Sequence, residues 1–292
     1  LMSDTPKIAI CVSGQTRHLN QSPKFMQDFF DVLDLFSEFD YDLYGHTWAD
    51  QETPNNKVLK LFTDFQKEDQ DTIWQELTTN KVVKDANIHF SEFISWRSEW
   101  YNEHAYTDTL NGKRDFIEFA KQRIYGNLGQ IWSAHKCFQQ IDFSTEYLFV
   151  VRLRWDLLID TQSTDHAEFR KLLKSFAGML DNVLMQRHTL DVLATNQSYI
   201  EPELPFIDDF LFVINTNKVR ELIIHNPVKI FTEMANNKSN RLIYRSGGAF
   251  PSSHTLWAYW LKHMNWSVYP ILPVGLYTTS NGVTPTNKKW KT

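Results

Sequence analysis

Residues 147–160, Tyr-Leu-Phe-Val-Val-Arg-Leu-Arg-Trp-Asp-Leu-Leu-Ile-Asp, constrain the chain most strongly. The stretch reads as a buried strand, interrupted at every second position by Arg152, Arg154 and Asp156. Side chains of a strand alternate between its faces, so these three share one face while Val151, Leu153 and Trp155 take the other. Charges are buried only with partners, because desolvation costs several kcal/mol per ion. Two guanidiniums and a carboxylate on one face near a strand end therefore mark a polar crevice suited to a phosphorylated ligand. The bland alternative is an internal salt-bridge network that braces the sheet.

The segments around this run alternate between strand and helix patterns. An apolar run over 7–12 ends in Ser13-Gly14-Gln15-Thr16-Arg17, the strand-then-turn opening of an α/β nucleotide-binding fold. The sequence has neither GxGxxG nor the P-loop lysine motif. Ser22-Pro23 supplies an N-cap and a first-turn proline. Phe25, Phe29, Val32, Leu33 and Phe36 then recur at helical spacing over about 23–37. A second strand over 41–48 ends in His46-Thr47-Trp48, followed by a polar loop over 51–56 and a helix, in one or two pieces, over 58–77. A third strand is expected at 82–90, and an aromatic-rich insertion near 91–113 follows it.

A helix over 114–141, interrupted around Gly126-Asn127-Leu128-Gly129, feeds the central strand. Its Gln130, Ser133 and Lys136 are candidates to face a ligand. Beyond it the pattern predicts a helix at 165–176 and strands at 183–186 and 207–214. Helices at 217–225 and 228–235 come next, then a flexible turn at Ser246-Gly247-Gly248. A helix from Ser252 or Ser253 carries Leu256, Trp257, Trp260 and Met264; a last strand at 266–272 precedes a loose tail from about 278.

No linker, repeat or composition break divides the 292 residues, so one α/β domain over 1–292 is expected. A net charge of -5 argues against nucleic acid and anionic membrane as partners. Cys11 and Cys137 have neither metal-site nor disulfide-framework spacing, which suits a reducing compartment. The apolar run at 8–12 is too short for a signal core or a membrane span. These features predict a soluble, cytoplasmic protein.

The motifs, taken in order, resemble a family of glycosyltransferase-like proteins of bacteria and their viruses. The resemblance rests on Ser13-Gly14-Gln15-x-Arg17, His46-Thr47-Trp48, Arg152-x-Arg154-x-Asp156 and Asp208-Asp209-Phe210. It implies a GT-A-like fold, a mixed and mostly parallel sheet between helices, with a nucleotide-sugar donor over the carboxyl ends of the strands. The acceptor would be a carbohydrate or a lipid-linked carbohydrate. Ser13, Gly14, Gln15, Arg17, His46, Arg152, Arg154 and Asp156 become candidate donor-binding residues. Asp208 and Asp209 occupy the place of an acceptor-facing general base.

In that fold a strand commonly ends in Asp-x-Asp, which holds Mn²⁺ or Mg²⁺ against the donor diphosphate. Arg154-Trp155-Asp156 stands in its place here. Asp156, with Asp160 as a second ligand, remains a candidate for a divalent cation, and the arginines are an alternative source of positive charge. Two further functions stay open: another nucleotide-dependent transferase, or a degenerate module that binds a glycan or a partner. Bland readings compete at single positions too. His46 suits a satisfied core histidine, His254 a first-turn surface residue, and the Trp257–Trp260 stripe a core.

Overall fold

The computed structural model describes residues 6–17, 19–20, 23–79, 116–159, 164–181, 192–194, 197–201, 204–207, 210–236, 253–264, 266, 268–270 and 276–278. The strand expected at 82–90, the aromatic insertion near 91–113, the strand at 183–186, the turn at 246–248 and the tail lie outside these residues, as do Asp160, Asp208 and Asp209.

The chain opens with β1 (Lys7–Ser13), α1 (Pro23–Asp34) and β2 (Asp40–Trp48). It continues through α2 (Asn56–Leu59), β3 (Asp64–Glu68), α3 (Asp71–Thr79) and the 24-residue α4 (Phe116–Gln139). Then come β4 (Phe149–Arg154), β5 (Leu157–Ile159) and α5 (His166–Asp181). The last part holds β6 (Val192–Ala194), β7 (Gln197–Glu201), β8 (Leu204–Ile207), β9 (Leu211–Asn215), α6 (Thr216–Leu222), α7 (Pro227–Asn236), α8 (Ser253–His263), β10 (Val268–Pro270) and β11 (Leu276–Thr278).

Among the described residues seven strands form one sheet in the order β10-β6-β9-β4-β1-β2-β3, and of these β9 alone runs antiparallel to its neighbours. The fold is therefore α/β, with a mixed, mostly parallel sheet flanked by helices. On one face Phe29, Val32 and Leu33 of α1 and Phe169, Leu173 and Phe176 of α5 pack against Ile8, Ile10, Val12, Val151 and Leu153. On the other, α4, α7 and α8 cover Ala9, Cys11, Val150 and Phe212. β1 and β4 send alternate side chains into the two cores, and a strand buried on both sides reads as a near-continuous apolar run. Trp257 and Trp260 are fully buried core. Among the described residues no helix is long and apolar enough to cross a membrane.

Four expectations are corrected. The helix expected over 58–77 is two short helices separated by β3, whose polar sequence Asp-Phe-Gln-Lys-Glu is mostly exposed because it lies at the sheet edge. α4 runs unbroken through Gly126 and Gly129. The strand expected over 207–214 is split between β8, in a two-stranded sheet with β7, and β9, in the main sheet. Finally, the central strand ends at Arg154, so Asp156 lies in the turn before β5.

Candidate functional site

The strand-end motifs meet in one row of the sheet. The parallel registers set Ser13 beside His46 of β2 and beside Arg154 of β4. β1 leads through α1 to β2 on one side, whereas β4 lies on its other side, so the loops leaving β1 and β4 part at their carboxyl ends. Such a switch point is where open α/β sheets leave a crevice. A cavity of about 60 Å³ opens there. The β1–α1 loop lines it with Gly14, Gln15 and Arg17, and β2 with Trp48. Arg154 and Asp156 close it from the end of β4, and Tyr125, Gly126 and Gln130 from α4. Drug-sized ligand pockets measure about 300–1,000 Å³, so the described residues enclose room for one anionic group, not for a whole nucleotide.

Asp156 organises the charges. Its side chain is 3% exposed. Arg154 grips both of its oxygens, Nε donating to Oδ1 and Nη2 to Oδ2 at 2.9 Å each. Arg17 Nη1 lies 3.1 Å from Oδ2. Forked contacts of this kind are the strong form of the ion pair. The turn that brings Asp156 here is anchored by Trp155, which goes to the opposite face, stacks on Phe29 at 5.7 Å and donates from Nε1 to the His46 carbonyl at 3.0 Å.

This geometry bears on a metal. A carboxylate offers about four acceptor directions; Arg154 N–H groups take two of those of Asp156, and the Arg17 guanidinium lies against Oδ2. Two cations already lie against it, so a divalent ion at Asp156 would have to displace a guanidinium contact. Among the described residues no group of three or more His, Cys, Asp or Glu could hold a metal.

Arg152 shares a face with Arg154, as strand alternation requires, but lies a layer deeper. It is fully buried, donates from Nε to Ser13 Oγ at 3.3 Å, and sits over the rings of Phe212 and Trp257 at 5.7 and 5.6 Å. Arg152 and Ser13 thus brace the floor, while Arg154 reaches the cavity.

Among its described residues the β1–α1 loop holds two left-handed ones. Gly14 has φ +108°, open to glycine. Arg17 has φ +45°, which costs a side-chain-bearing residue about 1–2 kcal/mol. Such strain persists only where the surroundings fix it, and here they do. Thr47 Oγ1 donates to the Gly14 carbonyl at 2.8 Å, Thr16 Oγ1 to the Glu52 carbonyl at 2.7 Å, and Arg17 Nε to Gln15 Oε1 at 3.3 Å. The Gly14 amide donates to Ser133 Oγ of α4 at 2.8 Å. That amide therefore faces α4 and not a ligand, and the loop reaches the cavity through the Arg17 guanidinium.

Behind Gly14 runs a buried relay. His46, 1% exposed, places Nδ1 2.8 Å from Ser133 Oγ and Nε2 3.6 Å from Glu68 Oε2. The tautomer that satisfies every member has Ser133 donating to Nδ1 and Nε2–H directed at Glu68. Burial pushes the His46 pKa below its ordinary value, and Glu68 only partly offsets this. For Glu68, burial acts to raise the pKa, but donors on His46 and Trp132 and the Lys136 charge outweigh it and hold the carboxyl low. Although Ser133, His46 and Glu68 form a line, Ser133 is fully buried and its oxygen receives the Gly14 amide. The line positions the loop and does not present a nucleophile. His46 is a satisfied core histidine.

Of the α4 candidates, Gln130 lines the cavity, Ser133 holds Gly14, and Lys136 lies 3.5 Å from Glu68. Half-buried His254 packs against Phe210 at 6.4 Å. Tyr125 and Gly126 are the cavity residues that sequence reasoning missed. The available signal was the pair of helix glycines, each worth about 1 kcal/mol against alanine. A Cβ on Gly129 would lie 3.3 Å from the Trp48 ring, so close packing accounts for it. One on Gly126 would meet nothing within 4 Å.

No protein-family model and no curated protein matches this chain.

Proposed function

We propose that the protein is a glycosyltransferase with a GT-A-like fold, moving a sugar from a nucleotide-sugar donor to a carbohydrate or lipid-linked acceptor. One observation carries the reading: Arg17 from the β1–α1 loop and Arg154 from the end of β4, held by one carboxylate, line a crevice at the switch point of a mostly parallel sheet. The order of the four motifs along the chain supports it. In such a transfer negative charge grows on the departing nucleoside diphosphate, and preset guanidiniums stabilise that charge without reorganising. Asp156 sets their positions. We assign the positive charge to the arginines, which already lie against Asp156.

The general base is proposed to be Asp209, with Asp208 as the alternative. Asp209 is the chain neighbour of Phe210, whose ring centre lies 5.5 Å from the Arg154 guanidinium. Leu211, next along, pairs with Leu153 at the carboxyl end of β4. Thermal-shift measurement with UDP-, GDP-, CMP- and dTDP-sugars tests the reading, because a ligand that binds the folded state raises its melting temperature by mass action. One nucleotide class is expected to stabilise the protein with or without Mn²⁺. No shift with any of them would overturn the proposal.

A further inference from the structure

Two features of α4 are unexplained by an anion on the arginines alone. Gly126 lines the cavity, yet a Cβ there would meet open space. Gln130 lines the same cavity, and its Oε1 is shut off from solvent without a hydrogen-bond partner among the described residues. Buried acceptors are satisfied in nearly all native structures. Positions 126 and 130, four residues apart, stack on one helix face. The neighbouring Tyr125 is tied through its hydroxyl to Asp71 and is not free to fill the gap. A bare stretch of helix beside an unmet acceptor thus lies in the same cavity as Arg17 and Arg154.

We infer that the Gly126–Gln130 face of α4 is a subsite for a neutral part of the ligand that carries a hydroxyl or N–H donor, with Gln130 as the residue that reads that donor. The inference rests on the arginine pair being an anion site. Gly126 leaves the passage open, and Gln130 rejects ligands that leave its carbonyl unmet. A missing donor is penalised more strongly than a missing methylene, because the buried polar group stays unpaired.

Calorimetric titration of the whole chain with inorganic pyrophosphate, nucleoside diphosphates and nucleotide-sugars tests this. Gly126→Ala puts a good helix former where a Cβ meets nothing within 4 Å, so the melting temperature should hold or rise. Gln130→Ala provides an independent variant. Both are expected to lose about tenfold or more with the ligand that fills the subsite, and less with pyrophosphate; an equal loss with pyrophosphate would overturn the subsite. A loss already present with nucleoside diphosphates assigns the donor group to the nucleoside; a loss confined to nucleotide-sugars assigns it to the sugar. Variants that bind every probe like wild type would overturn the subsite and leave the anion site standing. A wild type that binds no probe would overturn the anion site and the subsite together.

Discussion

β1, β2 and β4 carry a polar cluster at each end, and the two are built differently. At the amino end Lys7 pairs with Asp42 at 2.9 Å, Tyr147 donates to Asp42 at 2.5 Å, and the Tyr44 and Tyr147 hydroxyls meet at 2.9 Å. Burial, then the Asp42 hydrogen bond, pushes the Tyr147 pKa well up, so its hydroxyl stays a donor. Lys7, Asp42, Tyr44 and Tyr147 have ordinary backbone there, and Tyr44 belongs to the core. At the carboxyl end two guanidiniums share one buried carboxylate, Gly14 and Arg17 are left-handed, and a cavity stands open. Polar residues buried under a sheet do not by themselves make a site. Formal charge, backbone strain and empty space together mark the carboxyl end as the candidate.

The comparison can be broken from either end. Asp156→Ala leaves two guanidiniums without their shared partner. It should lower stability by about 3–5 kcal/mol in urea denaturation and abolish transfer. Unchanged stability would mean that the carboxylate does not hold the arginines. Next in size is an acid effect from the core. Burial pushes His135 down to about 4, below the about 6.5 of an unfolded histidine. The unfolded chain therefore takes up a proton first as pH falls. Stability present above pH 6.5 should decline by about 3 kcal/mol between pH 6.5 and 4. His46, also lowered, adds in the same direction. Replacing His135 with Gln should flatten most of that slope in denaturation curves run across this range.

Ser133→Ala deprives both the Gly14 amide and His46 Nδ1 of their partner. A loss of about 2 kcal/mol is expected, together with faster hydrogen exchange at the Gly14 amide; unaltered exchange would break the relay. His46→Asn, which keeps an acceptor near Nδ1, should preserve that protection better than His46→Gln. Tyr147→Phe, at the closed amino end, should cost only about 1 kcal/mol and leave nucleotide binding untouched. Weakened binding there would erase the distinction between the two ends.

The frame of the fold was legible where burial imposes a pattern. β1, α1, β2, β4 and α8 lie in the core, and apolar runs in the strands and apolar spacing in the helices showed it. β3 left no such trace, because an edge strand with polar side chains has no alternation to read. The glycines of α4 misled because helix propensity cannot distinguish a break from close packing at Gly129 or open space at Gly126. At the site, alternation along β4 correctly put Arg152 and Arg154 on one face. Depth was not legible: whether an arginine lines a cavity or lies over Phe212 and Trp257 depends on α8, more than a hundred residues away in sequence. The second guanidinium on Asp156 depends on a loop equally remote, since Arg17 comes from the first strand end.

The most direct test is calorimetric titration with the nucleotide-sugar that stabilises the protein, in EDTA, comparing wild type with Arg17→Ala and Arg154→Ala. Binding without a divalent cation, weakened about 10- to 100-fold by each substitution, is the expected result. Equal affinity in the three proteins, or binding that vanishes in EDTA, would contradict an arginine-held donor at the β1–β4 switch point.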